Sequence, residues 1–249
     1  MSLKIKKECV KPLLETKFIK VADLQYAEGC HYFNATRRSL DDLVATRSDE
    51  EFRDLVADAV TAAVILKVPG DEPRLVLSYE YRYPAGRFLL SPPAGLIDPK
   101  DAEAGIRFCR EGCGEELAAE YPFAAFLKTK DPAEAASLLA LSRELYEETG
   151  IRLSPGDSLF TVNPLLFSTP GMTDESNAIV CAVIENADVS VLSQAGAVGG
   201  ELFDGFALVT EDEARDLILR GRDVHGNFYS AYTWIVLMYF LSGLWKQAR

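Results

Sequence analysis

Between Asp131 and Gly150 the sequence spells out one complete helix with both ends marked. Asp131-Pro132-Ala133-Glu134 supplies an N-cap acid, a proline at the first helical position and a glutamate at the third, the arrangement of a capping box. Ala136, Leu138, Leu139, Leu141 and Leu145 give an apolar stripe that has to be buried, most simply against a sheet. Gly150 then stops the helix. At ~100° per residue Glu144, Glu147 and Glu148 share one face, within roughly 6 Å along the axis. For stability alone this is a poor arrangement, because like charges one turn apart repel and acids in a last turn oppose the helix dipole. The ordinary explanation is a solvated acidic face with Arg143 paired to Glu147. The functional one is a helix end that presents carboxylates to a hard cation, Mg²⁺ or Mn²⁺, which takes oxygen ligands and usually arrives with phosphates.

The company of this helix favours the second explanation. Upstream, Leu75 to Pro84 reads as a strand that brings Arg82 to its end, and Ser91-Pro92-Pro93-Ala94-Gly95-Leu96-Ile97-Asp98 follows. An arginine there offers a rigid donor fork for phosphate, although a strand-edge surface arginine is equally ordinary. Pro93-Ala94-Gly95-Leu96-Ile97-Asp98, followed by Arg143-Glu144-Leu145-Tyr146-Glu147-Glu148-Thr149-Gly150-Ile151, resembles the Nudix hydrolase box. Tyr81-Arg82-Tyr83-Pro84, and Ser168 to Glu175 around the Pro170-Gly171 turn, narrow the resemblance to the ADP-ribose pyrophosphatase branch. The likeness runs from about Thr16 to Leu244.

The resemblance implies an α+β fold, a Nudix-type α/β/α sandwich with a mixed sheet, plus a small N-terminal antiparallel β-unit that crosses to a partner subunit in a homodimer. It implies metal-dependent hydrolysis of the pyrophosphate bond of ADP-ribose or a related ADP-sugar, giving AMP and a sugar phosphate. Glu144, Glu147, Glu148 and the carbonyl of Ala94 are then the ligands of Mg²⁺ (or Mn²⁺), and Gly95, Arg143 and Gly150 shape the box. Arg143 orients Glu147 in this scheme. The family often draws its general base from an acidic loop after the core strands. Here that loop is Ala195 to Asp204, where Gly196 and Gly199-Gly200 promise flexibility and Glu201 is the first acid, with Asp204 next. Arg82 is expected as a phosphate clamp, Arg37 and Arg38 to reach a partner's pocket if subunits swap, with Arg38 on the substrate, and the Pro170-Gly171 loop to wall the substrate pocket with Glu175 near the metal site. UDP- or GDP-linked sugars, and a non-catalytic module that only senses such a nucleotide, stay open as alternatives.

One departure stands out. Five residues after Gly95 comes Asp101 where the family has glutamate, and 41 residues rather than seven separate it from Arg143, an insertion of about 34. Counting back from Arg143, the family spacing lands on Ala135. The insert, about 102–135, carries Ile106, Phe108, Tyr121, Phe123 and Phe126, which suits a segment that packs on the body rather than a solvated tail.

The remaining composition bounds the partners. A net charge of −12 argues against nucleic-acid binding and against anionic membranes. The apolar run Trp234 to Trp245 spans about 12 residues where about 20 are needed to cross a bilayer, and reads as a core helix apolar nearly all round. The first residues lack the apolar core of a signal peptide, and five scattered cysteines read as reduced thiols, so a cytoplasmic location is expected. The chain divides near residue 50: a β-unit over 1–50, turning at Glu28-Gly29, then a polar joint over 46–51, then the catalytic domain over 51–249. Core strands are expected at Ala59 to Val68, Leu75 to Tyr79, Leu159 to Val162 and Ala178 to Ile184, with a capped helix at Glu211 to Arg220.

Overall fold

A computed structural model of the protein describes residues 4–197 and 200–247. Alternating apolar residues in the first forty positions build a three-stranded antiparallel sheet in the order β1 (Val10–Glu15), β2 (Lys20–Ala27), β3 (Cys30–Thr36). Gly29 makes the β2–β3 turn with φ 68°, a conformation that only glycine adopts freely. One face of this sheet buries Ala22 and Leu24 against Leu43. Leu13, Leu14, Phe18 and Phe33 remain exposed. The polar stretch expected as a joint contains a short helix instead, α1 (Asp49–Arg53), because Ser48 and Glu51 close a full capping box.

The apolar run after it becomes β4 (Ala59–Lys67), buried on both faces. It sits within a seven-stranded mixed sheet. β5 (Arg74–Arg82), β6 (Arg87–Ser91) and β7 (Ala94–Leu96) follow it in the chain, then β8 (Ser158–Phe167), β9 (Ser176–Glu185) and β10 (Phe203–Val209). The strand order is β10-β5-β4-β9-β8, with β6 beside β5 and β7 beside β4; β4 and β9 are the parallel pair. Of the helices, α2 (Pro99–Glu111), α3 (Glu115–Glu120) and α4 (Pro132–Thr149) lie between β7 and β8. α5 (Glu211–Arg220) and α6 (Ala231–Ser242) close the chain. Alternation along β4 divides the core: Val60, Ala62, Val64 and Leu66 meet Leu138, Leu141 and Leu145 of α4. Ala63 and Ile65 point the other way, to Leu217 of α5 and to Val236, Leu237 and Phe240 of α6. Because α6 has the sheet on one side only, it is not buried all round: Trp234 is 48% exposed and Met238 40%.

The inserted residues fold onto α4. Ala104 and Phe108 of α2, Leu117 of α3, and Tyr121 and Ala124 around a 3-10 turn at Pro122–Phe126 pack against Ala135 and Leu139. With the sheet on one side and this layer on the other, α4 is buried nearly all round from Ala135 to Leu141. Ala135, the position at which the family spacing would put an acid, is wholly inside this helix–helix contact. The N-terminus of α4 also differs in detail. Asp131 caps Ala133 and Glu134, while Glu134 accepts from the hydroxyl of Thr129 rather than reaching back to Asp131, so the capping box is half made.

Gly105 permits the close approach of α2 and α4: a Cβ there would lie 2.6 Å from the carbonyl oxygen of Pro132 and 2.7 Å from the amide nitrogen of Ala136. Both are backbone atoms, so the helices have to separate. Gly105→Ala is therefore expected to cost about 1–3 kcal/mol, lowering the melting temperature by at least roughly 3 °C; an unchanged melting curve would contradict this packing.

Candidate active site

The ends of β5, β7 and β9 surround a cleft of about 430 Å³. Arg37, Arg82, Ala94, Gly95, Glu175 and Glu201, six of the positions singled out in the sequence, line it. The C-terminal end of α4 runs beneath β7 and brings Glu144 and Glu148 against its backbone, behind the residues that line the cleft. The amide of Ala94 donates to Glu148 Oε2 at 3.0 Å. Glu144 lies so close to Gly95 that a Cβ there would come within 2.0 Å of its carboxyl carbon. A side chain at residue 95 would therefore displace the Glu144 carboxylate, and no positive φ calls for glycine there.

Both acids are buried, and their electrostatics follow. Burial pushes Glu144 up to about 7, with Glu147 and Glu201 adding to the effect and the Arg143 guanidinium opposing it. Burial holds Glu148 well above the usual carboxylate range, against the Ala94 hydrogen bond, and Glu80, Glu144 and Glu201 push the same way. Glu80 itself is raised by burial and by Glu201, with Arg82 opposing. Glu80, from β5, is thus a fourth acid of this site that the sequence reading missed. Its signal was a carboxylate within an otherwise apolar-aromatic strand, two residues before Arg82, which places both on one strand face.

Glu147 is set apart from this group. It lines a second cavity, of about 350 Å³, between α4 and the insert, together with Phe123, Arg143, Tyr146 and Arg152. Arg143 is likewise not chiefly the partner of Glu147, which lies 3.4 Å away. Its shorter contacts are Glu144 at 2.8 Å and Asp101 at 3.1 Å. Asp101 is wholly buried, also accepts from the Tyr121 hydroxyl at 2.6 Å, and closes the capping box of α2. The shorter acid at this position is therefore a structural anchor, too deep to meet a ligand.

Other expectations are redistributed. Arg82 is engaged with Glu80 at 2.5 Å on the cleft wall. Arg38 does not face the cleft: it is buried on Asp58 at 2.7 Å and on the carbonyl of Val56 at 3.0 Å. Its neighbour Arg37 takes the cleft position and holds Glu175 at 2.8 Å. The Pro170-Gly171 loop is tied to the N-terminal sheet, since the Tyr32 hydroxyl donates to the Gly171 carbonyl at 2.7 Å. Glu201 does not sit in a slack loop. The residues on either side are fixed to the end of β5, with the Tyr83 hydroxyl donating to the Gly200 carbonyl and the Tyr81 amide to that of Leu202. Gly196 is a close-contact glycine rather than a hinge, its would-be Cβ 2.6 Å from the Glu147 carbonyl oxygen. Gly199 lies outside the described residues. Asp204 is exposed on β10 and is not among the residues lining the cleft.

Oxygen donors crowded out of water are what a hard divalent cation neutralises, and the mutual repulsion among Glu80, Glu144, Glu148 and Glu201 fits that chemistry. As they stand, no three acidic, histidine or cysteine side chains among the described residues converge into a closed ion-binding group. The metal-free protein should carry the consequence. A carboxyl raised above its ordinary value of 4.5 contributes stability that is complete below that pH and is lost as pH rises through the folded-state value, about 7 for Glu144. In chelator, the melting temperature is expected to fall between pH 5 and pH 7.5, and Glu144→Gln to flatten that fall; equal slopes in both proteins would contradict the assignment.

No family model and no curated protein matches this chain. A solved structure described as "Crystal structure of ADP compounds hydrolase" is similar to it, with 17% sequence identity and a TM-score of 0.47, covering 96% of this chain and 91% of that one.

Proposed function

We propose that this protein is a Nudix-type pyrophosphohydrolase that uses Mg²⁺, or Mn²⁺, to cleave ADP-ribose or a related ADP-sugar into AMP and a sugar phosphate. The observation that carries the reading is the pair of buried acids, Glu144 and Glu148, pressed against the Ala94-Gly95 backbone beside a cleft that also holds Arg37 and Arg82. A pyrophosphate resists water because its charge repels a nucleophile and its leaving group is poor. Glu144, Glu148 and the Ala94 carbonyl would hold the cation, which when bound neutralises phosphate oxygens and makes water more acidic. Arg82 and Arg37 supply donor forks for the remaining phosphate oxygens. To do so each exchanges part of its present pairing with Glu80 or Glu175. Glu201, which lines the cleft, takes the proton of the attacking water. Glu147 stands behind this group on the insert side and supports Arg143.

The exposed Leu13, Leu14, Phe18 and Phe33 of the N-terminal sheet support a homodimer formed through this unit. Five free thiols fit a reducing, cytoplasmic setting. Among the described residues no helix is long and apolar enough to cross a membrane.

Purified protein incubated with ADP-ribose, UDP-glucose and GDP-mannose is expected to release AMP from ADP-ribose preferentially, and only with Mg²⁺ or Mn²⁺ present. Glu201→Gln should lower kcat about 100-fold or more, and Arg82→Ala should mainly raise KM. Cleavage of the other sugars alone would move the substrate, and no cleavage by folded protein would favour a sensing module. Light scattering on the same sample should give twice the chain mass; a monomer would contradict the dimer.

A further inference from the structure

The insert reaches the candidate catalytic carboxylates through a line of polar contacts that starts in the interior. Tyr121, at the junction of α3 and the 3-10 turn, donates its hydroxyl to Asp101 Oδ1 at 2.6 Å. Asp101 Oδ2 accepts from Arg143 Nη2 at 3.1 Å, and Arg143 Nη1 donates to Glu144 Oε1 at 2.8 Å. Asp101 is 0% exposed and Tyr121 1%. Each contact leaves a defined gap if removed. Without the hydroxyl, Asp101 Oδ1 loses its hydrogen-bond donor in a site sealed from water, a state that costs more than the bond itself contributes. Asp101 then keeps only its Oδ2 contacts, to Arg143 and to the Asp98 amide at 2.9 Å, and can pivot about that oxygen; it is the main fixed charge on the Nη2 edge of the guanidinium, since the Asp98 carboxylate on that edge is 3.8 Å away and half exposed. The Arg143 fork is rigid, so a rotation at its Asp101 edge is passed to the edge that holds Glu144.

We propose that Tyr121 is a positioning residue for Glu144, and that the inserted segment therefore orients the cation-binding end of α4 as well as covering that helix. The inference rests on the reading of Glu144 as a cation ligand. Groups that orient a ligand are commonly worth about tenfold or more in metal affinity. Tyr121 stands three contacts behind Glu144, which puts it at the low end of that range.

The test is Mn²⁺ binding to the intact protein, read by the loss of the free-ion signal in electron paramagnetic resonance, so that it does not depend on turnover. Tyr121→Phe keeps the ring in the insert core and removes only the donor, and Asp101→Asn removes the charge at the centre of the line. Phe108→Leu loosens the same core without touching the line and controls for stability. Expected are a dissociation constant about tenfold weaker for Tyr121→Phe, a weaker one still for Asp101→Asn, and no change for Phe108→Leu. Wild-type affinity in folded Tyr121→Phe, or equal weakening in Phe108→Leu, would overturn the proposal and leave Tyr121 as a packing residue. A wild-type protein that leaves Mn²⁺ free would instead contradict the metal-site reading beneath it.

Discussion

The structure turns on the contact between the last turns of α4 and the backbone at Ala94-Gly95. Glu148 receives an amide hydrogen bond there and Glu144 occupies the space that a side chain at residue 95 would need. Such a contact puts carboxylates where water solvates them poorly, and the rise of both acids above their ordinary range measures the cost. Protein interiors tolerate this when the charge meets a counter-ion. Arg143 supplies part of one to Glu144, whereas among the described residues the contact that stabilises the Glu148 carboxylate is the Ala94 amide. The proposed cation would relieve that imbalance.

Everything around the contact holds it in register. β4 and β9 set the sheet level against which Leu138, Leu141 and Leu145 seat the helix, and Gly150, with φ 73°, ends it where the acids reach β7. The insert adds a second wall. In a box without it, α4 would show its outer face to water; here Ala135 and Leu139 are sealed by α2 and α3, and Asp101 is drawn into the interior to bridge Tyr121 and Arg143. One segment therefore accounts both for the buried length of α4 and for the buried position of Asp101.

Much of this was legible in the chain. Helix α5 with its Thr210–Glu213 capping box, the β2–β3 turn at Gly29, and the ends of α4 are set by local chemistry that acts within a few residues. The proximity of Ala94 and Gly95 to Glu144 and Glu148 is not local, since 54 residues separate Ala94 from Glu148, and it was expected from the family resemblance alone. What was hidden depends on which side of an element a residue takes once distant parts meet. Arg37 and Arg38 are adjacent and chemically alike, and only Asp58, twenty residues on, decides that Arg38 is buried. Glu80 was overlooked because strand alternation reads it as an outward-facing polar residue. Gly196 looked like a hinge because a glycine needed for close approach to Glu147 is indistinguishable, in sequence, from one needed for freedom.

The most direct measurement is a crystal of the protein soaked in Mn²⁺, with the ion located by its anomalous scattering. The account predicts a peak between Glu144, Glu148 and the Ala94 carbonyl, at oxygen distances of about 2.1 Å, with Glu147 still on the insert side. Ordered, unmoved carboxylates with no peak there, or a peak only elsewhere on the molecule, would contradict it.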